Sequence, residues 1–249
     1  MRYFIEIAYD GTNYHGWQIQ KNALSIQEVI TEKLRILTQI SHLDILGCGR
    51  TDTGVHAKQF FFHTDLHVDL DLKELKYRLN NMLPNDISLK DISIVKENAH
   101  ARFDATERTY RYYINQQKDP FNIKYSWYVN KEIDVKSMNV ACAYLLEYED
   151  FTSFSKVNTD VKTNICEIKF ASWSVQDKNL VFEITADRFL RNMVRSIVGT
   201  MIDIGMKKVD ANEIHKIIQS KNRSSAGKSA PAQGLFLESV KYPSQLKLD

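Results

Sequence analysis

The residues with the clearest potential for chemistry lie in one short glycine-rich segment. Three of the nine glycines fall in the sequence Gly47-Cys-Gly-Arg-Thr-Asp-Thr-Gly54. This segment contains one acid, Asp52, with Arg50 two residues before it and His56 four residues after it. Because a nearby cation favours the ionised form of a carboxylate, we expect Asp52 to act as a charged nucleophile or base. The alternative is a structural role, in which Asp52 ties down a tight loop through an Asx-turn.

Three other features suggest different chemistry, and each is set aside because of its surroundings. Asp52-Thr53-Gly54 is the triplet of aspartic proteases, which need two carboxylates that share a proton, and the chain holds no second such triplet. Gly227-Lys228-Ser229 resembles the end of a phosphate-binding P-loop, but Asn222 occupies the position of its first glycine. The seven histidines are scattered along the chain, so no metal site is expected.

The composition is that of an ordinary globular protein. Of 249 residues, 43% are hydrophobic and 26% are charged, which excludes disorder as the main interpretation. No apolar run approaches the ~20 residues that span a bilayer, and the N-terminus alternates instead of showing the apolar stretch of a signal peptide. The three cysteines are widely spaced, which predicts neither disulfides nor a CxxC metal site. A reducing cytoplasm is therefore the expected location.

The basic charge is concentrated late in the chain. The whole chain has a net charge of only +2, but residues 187–228 carry nine Lys or Arg against four Asp or Glu, a net charge of +5. From charge alone, a solvated surface is favoured over a nucleic-acid site. The spacing predicts that Arg188, Arg191 and Arg195 share one face of a helix, where arginines can bind phosphate or carboxylate groups.

Hydrophobic periodicity predicts two halves with the same β-α-β-β-α-β order of elements, divided near Ala105. The first half comprises strand Tyr3–Tyr9, a helix after the capping box Ser25–Glu28, strands Leu43–Cys48 and Gln59–His63, a helix over Leu72–Leu79, and strand Ile87–Val95. The second comprises strand Thr109–Ile114, helix Val135–Leu145, hairpin strands Ile165–Val175 and Leu180–Ala186, helix Leu190–Met201, and strand Leu235–Tyr242. This order predicts an α+β fold of two ferredoxin-like domains with antiparallel sheets, 1–105 and 106–249.

The segment Gly49–Ala57, GRTDTGVHA, resembles the signature of the TruA family of tRNA pseudouridine synthases. Other segments resemble the same family in the same order along nearly the whole chain: Tyr9–Gln18, Ala101–Thr106, Arg108–Tyr112 and Phe189–Gly199. The resemblance implies the pseudouridine synthase fold, commonly as a homodimer. It also implies the isomerisation of uridines in the tRNA anticodon arm, at positions 38, 39 and 40. That reaction involves no redox change and no energy donor, so no cofactor is expected.

The resemblance also assigns roles to individual residues. Asp52 matches the catalytic aspartate of the family, and its carboxylate can attack either the sugar or the base. Tyr110 matches a tyrosine that packs on the flipped target base, although an ordinary strand aromatic is the plainer interpretation of that residue alone. Arg195 matches an arginine that pairs with the catalytic aspartate, and Arg50 is a second candidate for contact with tRNA or with the aspartate. Domain 1–105 would then carry the catalytic loop, and domain 106–249 the basic helix and a tRNA-binding surface.

A function of another class is a non-catalytic RNA-binding protein with two RRM-like halves. It would use exposed aromatic side chains such as Phe60 and Phe62 on a central strand. An RRM needs a glycine in its RNP1 pattern, which the segment Ala57–Phe62 lacks.

Overall fold

Residues 1–66, 71–157, 162–176 and 179–248 are described in the computed structural model. They fall into two units: unit 1 is Met1–Thr106 with Leu237–Asp249, and unit 2 is Glu107–Phe236. Both units mix helices with antiparallel strands, so the predicted α+β class is confirmed. Within the described ranges, no helix is both long enough and apolar enough to cross a membrane.

Unit 1 contains the elements that the sequence predicts for its first half, in the predicted order. They are β1 (Arg2–Tyr9), α1 (Ile26–Thr38), β2 (Leu46–Gly47), β3 (His56–Asp65), α2 (Leu72–Met82) and β4 (Ile87–Val95). β1 lies between β3 and β4, and β2 pairs with β3, always antiparallel. The predicted helix start is confirmed, because the Ser25 side chain accepts the Glu28 N–H at 3.2 Å. β2 is shorter than the predicted strand Leu43–Cys48.

The core of unit 1 explains why two candidate RNA-contacting aromatics are unsuited to that role. Ile5 and Ile7 of β1 stand opposite Phe62 and Phe60 of β3. All four side chains are at most 1% exposed. Since a base can stack only on an accessible ring, the RRM-like interpretation of Phe60 and Phe62 is wrong. Burial of these rings stabilises the sheet that carries the loop of Asp52.

Unit 2 repeats the predicted order with two additions. Its elements are β5 (Glu107–Asn115), β6 (Trp127–Tyr128), α3 (Val135–Leu145), β7 (Ile168–Gln176), β8 (Asn179–Ala186), α4 (Met193–Gly205), α5 (Glu213–Gln219) and β9 (Leu235–Lys241), which continues into unit 1. β8 lies between β5 and β7, antiparallel to both, and the short β6 is parallel to β5. The predicted order of elements does not include β6 and α5. The predicted hairpin turn at Asp177 and Lys178 lies outside the described residues.

Helix α4 begins three residues later than its periodicity predicts. Asn192 has a φ of 65°, in the left-handed region, so the residues before it cannot belong to the same right-handed helix. Arg188 and Arg191 therefore precede α4, and only Arg195 lies on it. The expectation that these three arginines share one helical face is wrong.

The C-terminal segment, residues 237–249, belongs to unit 1, whereas the predicted division assigned all of 106–249 to the second domain. Glu238 forms an ion pair with Lys58 of β3 at 3.0 Å. The Leu248 N–H donates to a carbonyl of β4 at 3.1 Å. These contacts join residues far apart in the chain, so the order of elements alone does not reveal them.

A buried histidine connects β3 to the chain that follows β4. His63 is 3% exposed, and its Nδ1 accepts the Ala101 N–H at 3.1 Å. Burial lowers the pKa of His63 to about 4, and the nearby charges of His100 and Arg2 act in the same direction. His63 is therefore neutral at pH 7, where its unprotonated Nδ1 serves as the acceptor.

The low pKa of His63 predicts that stability falls as the solution is acidified. Between about pH 6.5 and pH 4 the unfolded chain binds a proton at this residue that the folded chain does not. The stabilisation is complete above pH 6.5 and is lost as the pH falls toward 4, by about 3 kcal/mol at most. Urea unfolding of the wild type at pH 7 and pH 4.5 measures this loss. His63→Gln, which can still accept the Ala101 N–H, should show a smaller loss, and an equal loss in both proteins would contradict the assignment.

Candidate active site

Asp52 begins a tight turn between β2 and β3. The Val55 N–H donates to the Asp52 carbonyl at 3.1 Å, and Gly54, the third residue of the turn, has a φ of 77°. This geometry is typical of a type II turn, which needs glycine at that position. The Asp52 side chain is half-buried. A carboxylate at the start of such a turn is held close to the protein surface in a defined position.

Two hydrogen bonds hold this turn against the end of β1 and the segment that follows it. The hydroxyls of Tyr9 and Thr51 are 2.9 Å apart, on one side of Asp52. On the other side, the Gly54 N–H donates to the Tyr14 carbonyl at 3.2 Å. The turn is thus fixed on both flanks by a stretch of chain more than thirty residues earlier in the sequence.

His56, four residues after Asp52, anchors the loop through contacts with the segment that follows β1. Its side chain is 1% exposed, and its Nδ1 lies 3.1 Å from the Gly11 nitrogen and 2.9 Å from Oδ1 of Asp10. The two contacts are alternatives, because Nδ1 accepts the Gly11 N–H only when it carries no proton of its own. We favour the Gly11 bond, whose N–H points at the ring nitrogen. His56 therefore supports the loop that carries Asp52.

Tyr14 and Trp17 fix the segment that braces the loop, which is residues 10–25 between β1 and α1 and is here termed the bracing segment. The Tyr14 hydroxyl donates to Asp86 at 2.6 Å, and burial together with this bond raises the Tyr14 pKa above its ordinary value. Tyr14 therefore stays a donor at all ordinary pH values. The Trp17 indole is 2% exposed and lies 4.2 Å from the Phe60 ring, measured between ring centroids. These contacts give Tyr14 and Trp17 a structural role in support of the loop.

The fit between the bracing segment and the loop requires a glycine at position 16. Gly16 has a φ of 84°, and a Cβ built on it would lie 2.2 Å from the Thr51 carbonyl oxygen. Backbone atoms cannot move aside as the end of a flexible side chain can. Any side chain at position 16 must therefore push the Asp52 loop away from β1.

Arg50 does not pair with Asp52. Its side chain is exposed, and it forms no ion pair with a carboxylate anywhere in the described part of the chain. The sequence leaves two partners open for Arg50, tRNA and Asp52, and the described residues contain no ion pair between Arg50 and Asp52. Groups of three or more potential metal ligands are also absent from the described residues.

In unit 2, Tyr110 occupies a different setting from Tyr112. Tyr110 and Tyr112 are two residues apart on β5 and so point to the same face of the sheet. Tyr112 is 0% exposed, with its hydroxyl bonded to the Pro231 carbonyl at 2.8 Å. Tyr110 is only half-buried, and its ring meets the Phe189 ring edge to face at 5.1 Å. Tyr112 is a core residue, whereas Tyr110 is not fully buried.

Arg195, in the first turn of α4, is fastened to the loop before β9. Its Nε donates to the Ala230 carbonyl at 2.7 Å, and the Ala230 N–H donates back to the Arg195 carbonyl at 2.9 Å. Arg195 is also near Tyr112, since its charge opposes the rise in the Tyr112 pKa that burial causes. The Nε bond fixes the plane of the guanidinium, so its terminal nitrogens project in a set direction.

The loop that holds Arg195 contains the Gly-Lys-Ser sequence considered above as a P-loop. Its Ser229 hydroxyl accepts from Arg223 at 3.0 Å and from Asn192 at 2.7 Å. A Cβ on Gly199 of α4 would lie 1.7 Å from the Lys228 carbonyl oxygen, so the loop packs on bare helix backbone. The Gly-Lys-Ser triplet therefore helps to pack this loop against α4.

Three residues have a positioning role that no local sequence pattern indicates, for one common reason. His56, Asp86 and Arg223 act through partners that are distant in the chain or belong to the backbone. Gly16 alone carried a signal, as one of few glycines, inside a segment that matches the family. Arg223 has no carboxylate among its partners in the described residues, and burial lowers its pKa, which no sequence pattern reveals.

Comparison with known proteins gives a consistent result. A family model described as tRNA pseudouridine synthase matches residues 141–243. A protein of Bacteroides fragilis named tRNA pseudouridine synthase A is 50% identical over 247 residues, covering 98% of this chain and 98% of that protein. Proteins of the same name from Bacteroides thetaiotaomicron and Acetivibrio thermocellus are 49% and 40% identical, over 98% and 95% of this chain and 92% and 97% of their own lengths.

The close contact at Gly16 predicts a large difference between two glycine substitutions. Gly16→Ala should lower the free energy of unfolding by roughly 2 kcal/mol or more, because of its positive φ and the clash with Thr51. Gly49→Ala is the matched control in the same region, since a Cβ there would meet nothing within 4 Å. Its effect should stay within about 0.5 kcal/mol. Urea unfolding measures both, and equal effects would contradict the importance of the contact.

Proposed function

This chain belongs to the tRNA pseudouridine synthase A family and is an isomerase that acts on tRNA, and we propose that it converts uridines 38, 39 and 40 of the anticodon arm with Asp52 as its catalytic carboxylate. The observation that carries the assignment of Asp52 is its setting. It is the one acid of the GRTDTGVHA segment, half-buried at the start of a braced turn.

The reaction needs a nucleophile and a pocket, both of which protein side chains can supply. Isomerisation breaks the bond between ribose C1′ and base N1 and forms a bond between C1′ and C5. The proton on C5 leaves and N1 gains a proton, so the change balances without an oxidant or an energy donor. A carboxylate can hold the displaced fragment covalently while the base turns. The target base must leave its stack to reach that carboxylate.

The bracing of the loop supports a role for Asp52 in chemistry. A reacting group must meet its target within a few tenths of an ångström, and misplacement by about 1 Å can lower the rate ~100-fold. The hydrogen bonds from Tyr9 and Gly54, together with the His56 anchor, restrain the backbone on either side of Asp52. Such restraint is suited to a carboxylate that reacts.

We assign Tyr110 to stacking on the target base, Arg195 to the support of Asp52, and Arg50 to contact with tRNA. Tyr110 is only half-buried, and its edge-to-face contact with Phe189 restrains its ring, as a stacking platform requires. Arg195 supports Asp52 in turnover, as the family resemblance implies, with its guanidinium plane set by Ala230. Arg50, exposed and without an ion pair in the described residues, contacts tRNA. Arg50→Gln should therefore raise KM and leave kcat nearly unchanged.

The remaining proposals follow from the same family. Unit 1 carries the catalytic loop, and unit 2 carries a tRNA-binding surface that includes the basic tract 187–228. The protein acts as a homodimer in the cytoplasm. Light scattering should give twice the 28.9 kDa of one chain, and fractionation of the source cells tests the location.

Asp52→Asn tests the proposed chemistry most directly. The amide keeps nearly the same shape but cannot act as the nucleophile, so the variant should fold, bind tRNA and make no pseudouridine. Unmodified tRNA is incubated with each protein, and pseudouridine is mapped by carbodiimide treatment and primer extension. Wild type should give product at positions 38, 39 and 40.

The control for this experiment is Asp44→Asn, an exposed acid between α1 and β2 that no part of the proposal uses. It should make pseudouridine at the wild-type rate. Near-wild-type turnover by Asp52→Asn would overturn the catalytic assignment. Product at other positions would overturn the proposed sites alone.

Tyr110 should act through its ring more than through its hydroxyl. Tyr110→Phe should bind tRNA as wild type does, whereas Tyr110→Ala should lower kcat/KM roughly 5- to 100-fold, the usual effect of a lost stacking contact. Tyr128→Ala is a matched control, since Tyr128 is 40% exposed on the same unit. A Tyr110→Phe variant that binds but makes no product would instead assign the hydroxyl to proton transfer.

A further inference from the structure

Unit 1 has a strongly exposed aromatic side chain, Phe103, outside the loop of Asp52. Phe103 is 74% exposed, in the turn Ala99–Asp104 between β4 and β5, here termed the Phe103 turn. Single exposed apolar residues are common on protein surfaces and by themselves indicate nothing. The way in which this turn is built distinguishes Phe103 from other exposed aromatics of the chain.

Every backbone N–H of the Phe103 turn has a hydrogen-bond acceptor. Ala99 donates to Lys96, and Asp104 to His100, in both cases at the carbonyl. The other acceptors are side chains: Asp104 for the His100 N–H at 2.7 Å, His63 for Ala101 at 3.1 Å, and His100 for Arg102 at 3.1 Å and Phe103 at 3.4 Å. The Ala101 carbonyl in turn accepts from the Tyr242 hydroxyl. A turn bonded so completely presents Phe103 in a fixed orientation.

The surroundings of the Phe103 ring are those of a base-stacking site. The His100 ring lies 4.2 Å away between centroids at an interplanar angle of 36°, so it backs the phenyl ring. The Arg102 guanidinium carbon lies 5.7 Å from the ring centroid, within cation–π distance. Proteins bind unpaired nucleotides with this combination of an accessible aromatic face and a cation for the phosphate.

The Phe103 turn is far from the loop of Asp52. Its anchor His63 lies seven residues along β3 from His56, which is about 23 Å at ~3.3 Å per residue. A nucleotide at Phe103 is therefore a different nucleotide from the one that reacts at Asp52.

We propose that the Phe103 turn is a second tRNA contact, at which an unpaired base stacks on Phe103 while Arg102 binds the adjoining phosphate. This proposal rests on tRNA being the substrate. A base is favoured over a protein partner as the occupant, because the exposed apolar surface here is one ring next to a cation and not an extended patch.

Photo-crosslinking from position 103 tests the contact without relying on turnover. p-Benzoylphenylalanine replaces Phe103 in the full chain, the protein is irradiated with unmodified tRNA, and the crosslinked nucleotide is identified by primer extension. We expect one or two unpaired nucleotides other than 38, 39 and 40. The same residue at Tyr77, which is 65% exposed on α2 of the same unit, is the control and should give little crosslinking. Absence of a crosslink from position 103 would overturn the proposal.

Binding measurements on substituted proteins give an independent test. Phe103→Ala should weaken tRNA binding roughly 5- to 100-fold, Phe103→Leu should weaken it similarly, and Phe103→Tyr should bind within twofold of wild type. Tyr77→Ala should also bind within twofold. Because Phe103 is so exposed, its variants should melt at the wild-type temperature, which thermal unfolding checks. Wild-type affinity for tRNA in Phe103→Ala would overturn the proposal. If light scattering also showed a changed mass for this variant, the surface would be assigned to a protein contact.

The outcomes separate this proposal from the proposed function. A crosslink from position 103 in a protein that makes no pseudouridine would support the tRNA contact and overturn the assigned reaction. Pseudouridine at the expected positions without a crosslink would support the assigned reaction and overturn the tRNA contact at Phe103.

Discussion

The candidate site of unit 1 depends on one close contact between two backbones. The segment after β1 passes so near the loop of Asp52 that a Cβ at Gly16 would lie 2.2 Å from the Thr51 carbonyl oxygen. At this separation Gly54 reaches Tyr14, and Thr51 reaches Tyr9, with hydrogen bonds of normal length. The turn that begins at Asp52 is therefore held by the backbone of a distant segment. Its position does not depend on its own sequence alone.

Unit 2 holds its candidate arginine in a comparable way. The loop before β9 packs on α4 at Gly199, and its Ala230 exchanges two hydrogen bonds with Arg195. In unit 1 two loops meet closely at Gly16, and in unit 2 a loop packs on a helix at Gly199. In each unit one of the two partners carries a side chain suited to chemistry. Loops positioned by a rigid scaffold are common sites of function, because they combine exposure with a fixed geometry.

The histidines of unit 1 act as structural acceptors. His56, His63 and His100 each use Nδ1 to accept a backbone N–H. For His63 and His100, burial lowers the pKa, which keeps the accepting nitrogen unprotonated. An imidazole committed to such a bond is poorly placed to transfer protons. The histidine nearest to Asp52 in the sequence thus supports the loop, which agrees with our proposal that Asp52 is the reacting group.

The sequence by itself determined the elements, their order and the loop that carries Asp52, the acid we propose for the chemistry. The bounds of α3 and β4 agree with the predicted ones residue for residue, because hydrophobic period and capping depend on neighbours along the chain. Only the tertiary structure decided that α4 starts after Asn192, that Arg50 forms no ion pair with Asp52, and that residues 237–249 join unit 1. It also decided the roles of His56 and Arg223. These outcomes depend on groups that packing brings together across long stretches of chain, and local periodicity carries no information about such distances.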